Sequence, residues 1–284
     1  VAPKILIVIP TYGQFDYAIR AVRTALSSTR TLDPYVTVID DASPERLSRE
    51  RHKLPHSVDE PYGNFLVNLR YAKEEFGDKI YQLTFDENGG LTRSWNAGLN
   101  IARQMEFDFC CVTNSDVMFA HGWDGRLFDL LNSEKYDLVG PLTNAPGTEQ
   151  TQYVGDYSVL YRKDKKDDLT HMDEVQNELY HQQGARHKAA TLNGFCMVAF
   201  TRKWWANAYD DSHVFCPRND FNSKGERNPT PLMTLNEYEF QRRLHAKGGK
   251  SGVCLGSYVY HYRAVSRGDK HKRGDWARIE QGTA

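Results

Sequence analysis

Apolar and polar residues along the first half of the chain fall into blocks whose lengths and periods separate strands from helices. Ile5–Ile9 is an unbroken, largely β-branched run, the pattern of a strand buried on both faces. Pro10-Thr11-Tyr12-Gly13 breaks it, and Ala18, Val22, Ala25 and Leu26 then recur at helical spacing. Tyr35–Ile39 predicts a second strand, stopped by Asp40-Asp41-Ala42-Ser43-Pro44. A third strand, Ile80–Phe85, ends at Asn88-Gly89-Gly90. Leu91–Met105 repeats apolar residues as a helix does, through Leu91, Trp95, Gly98/Leu99 and Ala102. Phe107–Val112 predicts a fourth strand, stopped by Thr113-Asn114-Ser115-Asp116. This order predicts an α/β domain with a mostly parallel central sheet and helices on both faces.

The second half is less regular. Residues 145–190 are polar, and Arg162–Glu178 holds four basic and six acidic side chains, which predicts a loop and a solvated helix inserted into the domain. Leu192–Val198 returns to a strand-like run, and residues 210–234 predict a loop. Asn236–Lys247 predicts a helix ending at Gly248-Gly249, and Val253–Tyr260 one or two short strands closed by His261. No repeat or low-complexity linker divides the chain, so residues 1–284 are expected to form one domain.

Composition narrows the classes. With 284 residues, 40% hydrophobic and 26% charged, the chain can bury a substantial core and is not of the disordered type. Its 36 Lys+Arg balance 37 Asp+Glu, which argues against wholesale electrostatic binding to nucleic acid. One local excess stands out, six Lys/Arg against two Asp between His261 and Arg278. No apolar run reaches the roughly 18 residues of a transmembrane helix. The opening Val1–Pro10 is too short for a signal peptide and reads as a strand. Cys110, Cys111, Cys196, Cys216 and Cys254 are odd in number and form no CxxC pair, so reduced thiols and a cytoplasmic compartment are expected. Most of the 16 Tyr and five Trp are expected to pack, with some free to line a sugar site.

Ligands of open α/β sheets bind beyond the carboxyl ends of the strands. Three strand ends here carry acceptor-rich turns: Thr11, Asp40/Asp41 and Asn114/Asp116. A sheet needs no carboxylates there for stability, although Asp and Asn are also ordinary turn formers. Asn114-Ser115-Asp116 places two oxygen-bearing side chains two apart, suited to a hard divalent cation and a diphosphate.

Five features in this order resemble the family 2 glycosyltransferases of the GT-A fold, a Rossmann-like fold for nucleotide-diphospho-sugar transferases. Ile5–Tyr12 resembles the family's opening strand and Pro-Thr-Tyr turn, and Val38–Ser43 its Asp-Asp-x-Ser nucleotide turn. Asn88-Gly89-Gly90 with Asn96-Ala97-Gly98 resembles its Asn-x-Gly…Asn-x-Gly helix. Asn114-Ser115-Asp116 stands at its Asp-x-Asp metal motif, and Asn236–Phe240 followed by Arg242 is similar to the segment holding its base. The likeness covers about residues 4–143 and 192–261.

The resemblance implies a nucleotide-sugar donor (a UDP-sugar), Mn²⁺ or Mg²⁺, and inversion at the anomeric carbon. It also implies a nucleotide-sugar-binding half up to about residue 143 and an acceptor-binding half after it. Pro10, Thr11, Tyr12 and Asp41 would hold the nucleoside with Asp40 close by, and Asn88, Gly90 and Arg93 would complete the donor site. Asn114, Ser115 and Asp116 would lie at the metal–diphosphate end, with His261 as a further metal ligand or else a packed surface histidine. Glu237 takes the position of the general base that inverting transfer requires. Glu239 would brace that segment on the acceptor side, both carboxylates being also favoured simply in a helix's first turn. Gly194 and Phe195 resemble the acceptor-side strand, and Trp204 or Trp205 could stack on a sugar or pack in the core. The acceptor would be a hydroxyl of a glycan or polysaccharide, or of a modified nucleic-acid base. The basic residues Arg263, Arg267, Lys270, Lys272 and Arg273 would close over the diphosphate, meet an anionic acceptor, or remain solvated. No oligomeric state is implied.

Two positions depart from the family pattern. Asn114 is an amide where a carboxylate is usual, and Trp95 replaces a frequent basic residue, whose charge Arg93 could supply unless Trp95 simply packs. The competing readings are a nucleotidyltransferase and a non-catalytic nucleotide- or sugar-binding protein. The first would show a glycine-rich basic loop near the opening strand, which Pro10-Thr11-Tyr12-Gly13 is not. The second is hinted at by Asn114 and opposed by Glu237, Asp116 and His261.

Overall fold

Strand β1 (Lys4–Thr11) is buried from Ile5 to Thr11, which is why its sequence is apolar at successive rather than alternate positions. The computed structural model describes residues 1–52, 60–147, 150–165, 168–217 and 236–262. β1 pairs in parallel with β2 (Asp33–Asp41) on one side and β4 (Phe109–Thr113) on the other, and β3 (Ile80–Phe85) extends the sheet beyond β2. Ile5, Ile7 and Ile9 meet helices α1 (Phe15–Ser28) and α3 (Pro61–Phe76), while Leu6 and Val8 meet α4 (Gly90–Gln104) on the opposite face. A further helix, α2 (Pro44–His52), follows the β2 turn. The four strands and the two amphipathic helices, α1 and α4, thus stand where the apolar pattern places them.

Beyond β4 come β5 (Val117–Phe119), α5 (Asp124–Asn132), β6 (Leu138–Leu142), α6 (Leu169–Gln182), β7 (His187–Ala189), β8 (Cys196–Phe200), α7 (Thr201–Ala206), α8 (Asn236–Ala246) and β9 (Ser251–His261). The sheet order is β3-β2-β1-β4-β8-β6-β9-β5, with β7 also on β9. It is mixed rather than mostly parallel. β8 runs antiparallel to β4 and β6, β5 and β7 run antiparallel to β9, and in this half only β6 and β9 are parallel. A parallel return requires a crossover of about a dozen residues or more; the short turn from β4 into β5 carries the chain onto β9 without one.

Two further expectations are corrected. Where one or two short strands were expected, β9 is a single strand of 11 residues, and it absorbs a register shift against β6 between Gly140 and Leu142. Helix α6 is not a solvated insertion, because Met172, Val175 and Leu179 lie in the core. Gln176 also bridges to β9, donating to Gly256 O (3.1 Å) and accepting from Tyr258 N (2.6 Å). Its apolar stripe is short enough to be concealed by the surrounding charge. The five cysteines are free and buried. Among the described residues no helix is long and apolar enough to cross a membrane.

Candidate active site

The antiparallel arrival of β8 is what assembles the site. Cys196 pairs with Thr113, so the residues just before β8 lie at the carboxyl end of β4. Phe195 is the centre of this region. Its carbonyl accepts from Thr113 Oγ1 (2.6 Å) and Asn114 N (3.1 Å), and its ring stacks on His261 with centroids 5.3 Å apart. Its neighbour Gly194 faces the other way: a Cβ there would lie 2.9 Å from Trp95 Cη2 and 3.3 Å from Glu237 Oε2. Only glycine lets the ring and the carboxylate come so close to this backbone.

Leu192 and Asn193 precede the β8 ladder, so their backbone groups need other partners. Two buried glutamines supply them. Gln241 of α8 accepts from Leu192 N (2.7 Å) and donates to Leu192 O (2.9 Å) and Glu237 O (3.0 Å). Gln152 accepts from Asn193 N (2.8 Å) and donates to Pro141 O (2.9 Å). These contacts lock the first turn of α8, which carries Glu237, to the backbone beside Gly194.

At the end of β4, Asn114 Nδ2 lies 3.3 Å and Asp116 Oδ1 3.4 Å from His261 Nε2. The other ring nitrogen, His261 Nδ1, lies 3.1 Å from Ala145 O. A carbonyl only accepts, so Nδ1 donates there, and Nε2 faces Asn114 and Asp116. Asp116, His261 Nε2 and the Asn114 amide, able to turn its oxygen inward, are a donor set that a divalent cation would fit. The donor set is small: among the described residues no group of three His, Cys, Asp or Glu could hold a metal.

The nucleotide turns are braced against one another. Thr11 Oγ1 donates to Gly13 O (2.5 Å), Gly13 N to Ser43 Oγ (2.7 Å) and Ser43 N to Asp40 Oδ1 (3.0 Å). Ala42 adopts a left-handed φ of 60°, turning the chain sharply between the two acidic residues and Ser43. Asp40 is engaged by protein partners. Buried, it binds Ser43 and the Arg46 guanidinium (2.6 Å), which reaches on to Glu50 and Phe85 O. Burial pushes the Asp40 carboxyl above its ordinary range, against the pull of the Ser43 and Arg46 donors. Asp41, by contrast, gathers the predicted donor residues. It accepts from Gly89 N (3.1 Å), Gly90 N (2.7 Å) and Arg93, while Asn88 Oδ1 also accepts from Gly90 N (3.1 Å). Arg93 thus stands beside Asp41, with Phe85 against its guanidinium (3.9 Å).

Trp95 packs: it is buried, donates to Thr113 O (3.0 Å) and lies against Phe215. Trp204, expected on the acceptor side, is also core, donating to Cys110 O (3.0 Å) between Phe215 and Phe240. Glu239 is engaged within its own helix. It forms a two-pronged pair with Arg243 (2.5 and 2.9 Å), which in turn holds Asn207 O and Val214 O. Arg263, Arg267, Lys270, Lys272 and Arg273 lie outside the described residues, as do residues 218–234 of the expected loop. Sequence reasoning missed Gln152, Gln241 and Asn144. None sits in a local motif, and each acts on backbone distant in the chain.

Known proteins share this architecture. The crystal structure of GalNAc-T7 with UDP, GalNAc and Mn2+ superposes with a TM-score of 0.58 at 11% identity, covering 92% of this chain. The chain spans 44% of that protein's length. No curated protein sequence matches the chain. Residues 6–195, more than half of the chain, match the family described as Glycosyl transferase family 2, and the chain belongs to that family.

Proposed function

We propose that this chain transfers a sugar, with inversion, from a UDP-sugar to a hydroxyl acceptor, with Glu237 as general base and a divalent cation at Asp116 and His261. The observation that carries this reading is the convergence on Gly194-Phe195: Glu237 stands over Gly194, while Phe195 holds Asn114 by its carbonyl and His261 by its ring. Base and cation ligands are thereby fixed to two successive residues just before β8.

The chemistry follows from the placement. The Glu237 carboxylate takes the proton of the acceptor hydroxyl as its oxygen bonds to the anomeric carbon. The bond from that carbon to the diphosphate oxygen breaks on the opposite face, and the nucleoside diphosphate leaves with the electron pair. Thr11, Asp41 and Arg93 hold the nucleoside end, which keeps the anomeric carbon within reach of the attacking oxygen. Bound at Asp116, His261 and Asn114, the cation would stabilise the charge developing on the diphosphate. The whole of residues 1–284 serves as one catalytic domain, its acceptor a glycan hydroxyl. The GalNAc-T7 complex supports the choice of UDP and Mn²⁺ by its likeness in fold.

The reading is tested with a panel of nucleotide sugars in the presence of Mn²⁺, Mg²⁺ or a chelator, following thermal stabilisation and donor hydrolysis. Selective stabilisation by one UDP-sugar with metal, and cleavage to UDP, is the expected result. Stabilisation without turnover by any donor would leave a binding protein, and release of pyrophosphate would indicate nucleotidyl transfer.

A further inference from the structure

Asn144 has both of its amide atoms committed to one residue of the candidate cation site. It follows β6 by two residues, where the ladder between β6 and β9 has ended at Leu142 and Tyr258. Its Oδ1 accepts from His261 N (2.8 Å) and its Nδ2 donates to His261 O (3.0 Å). These are the two bonds that a neighbouring strand would make, provided here by a single side chain. On its other edge His261 pairs with Val117 of β5, so the backbone of this residue is held from both sides.

The next residue continues the hold. The Ala145 carbonyl accepts a hydrogen bond from Nδ1, and the Phe195 ring covers the face of the imidazole. Translation of the backbone and rotation of the ring are both opposed. What remains is Nε2 turned toward Asn114 and Asp116. Ligating histidines are commonly fixed in this way through their second nitrogen, and loss of such partners typically weakens metal binding about 10–100-fold.

We infer that Asn144 is a positioning residue for His261, setting the affinity of the site for its divalent cation without touching the cation itself. This rests on the metal assignment proposed above. The side chain is needed because Asp116 and His261 are two strong donors with only an amide beside them. A site with so few ligands gains affinity by holding each in place before the cation arrives. Asn144 can do so through both backbone groups of His261, which an apolar side chain or a single hydroxyl cannot.

The test is calorimetric titration of Mn²⁺ into the full chain with UDP present, for wild type, His261→Ala, Asn144→Leu and Asn144→Ala. His261→Ala should lose metal binding. Both Asn144 variants should bind Mn²⁺ about 10–100-fold more weakly while folding normally. Nitrogen NMR of the His261 ring without metal should show a mixture of tautomers in place of one. Two Asn144 variants guard against failure of either one to fold. Mn²⁺ affinity within twofold of wild type in a folded Asn144 variant, with His261→Ala having lost it, would overturn this inference alone. Unchanged Mn²⁺ binding by His261→Ala would instead remove the metal assignment, and the role of Asn144 with it.

Discussion

Gly194 and Glu237 meet so closely that a methyl group on the glycine would lie 3.2 Å from the carboxyl carbon of the glutamate. The same methyl would press on Trp95, a fully buried ring whose indole is tied to Thr113 O and cannot retreat freely. Gly194→Ala should therefore displace the carboxylate. Overpacking of this kind costs about 1–3 kcal/mol of stability. A displacement of about 1 Å at a reacting group can cost on the order of 10²-fold in rate. Expected are a lower kcat for transfer and unchanged UDP affinity, measured by steady-state assay and calorimetry.

Glu237 and Glu239 are two residues apart but differently engaged. Glu239 is spent on Arg243, whereas Glu237 lies beside Gly194. Glu237→Gln should lower kcat by about 10²–10⁴, the usual loss for a positioned general base, with donor affinity kept. Glu239→Gln should instead lose about 1–3 kcal/mol of stability by leaving part of the Arg243 guanidinium unpaired. Parallel kinetics and thermal melts check this, and a dead Glu239→Gln beside an active Glu237→Gln would move the base to Glu239.

The end of β4 allows a gain as well as a loss. Asp116→Ala should abolish Mn²⁺-dependent binding of UDP. Asn114→Asp should keep or tighten Mn²⁺ binding, since a carboxylate is the better ligand for a hard cation. Calorimetric titration with Mn²⁺ decides it, and weaker binding by Asn114→Asp would place Asn114 away from the cation.

How much of this was legible in the sequence depended on the range over which each residue acts. β1, β2 and β4 announced themselves because a strand sealed on both faces is largely apolar, and their ends or the turns after them carried Thr11, Asp41 and Asp116 in local motifs, whereas β3 is an edge strand with Gln82 and Thr84 exposed. Direction in the sheet was not legible beyond β4, because nothing in the composition of β8 distinguishes a strand paired antiparallel from one paired parallel. Nor could Asp40 be told from Asp41: two adjacent carboxylates point to opposite sides of one strand end, one to Arg46 and one to the start of α4. Trp204 and Trp95 are core residues by virtue of partners far along the chain.

Asp137 makes a pH-dependent prediction away from the site. Burial raises its carboxyl, but Lys203 (2.6 Å) and the Lys250 backbone N–H (3.0 Å) outweigh that and hold it below the usual carboxylate range. A carboxyl depressed in the folded state adds stability that is fully present above its unfolded value of 3.8 and lost as the pH falls through the lower folded value. Asp137→Asn should accordingly melt earlier than wild type at pH 7, with the two curves converging below pH of about 4. A difference that persisted at the lowest pH would mean that packing, not charge, explains the loss.

The most informative variant of the acceptor side is Gln241. Its amide joins Leu192 to Glu237 O, so it connects the backbone leading to Gly194 with the first turn of α8. Gln241→Met keeps the length of the side chain but leaves the buried Leu192 N–H and C=O without these bonds, a cost of about 1–3 kcal/mol for each group. If the amide merely stabilises the fold, melting temperature should fall and kinetics should stay close to wild type at a temperature where the variant is folded. If it sets the distance between Glu237 and the acceptor, kcat should fall as well, with UDP affinity unchanged because Thr11 and Asp41 end β1 and β2 and Asp116 lies in the turn between β4 and β5. Gln241→Glu separates the two effects further. When protonated it still accepts from Leu192 N and donates one of glutamine's two bonds, so its activity relative to wild type should be highest at the acid end of the profile and decline as the new carboxyl ionises. A profile parallel to wild type would rule out the positioning role.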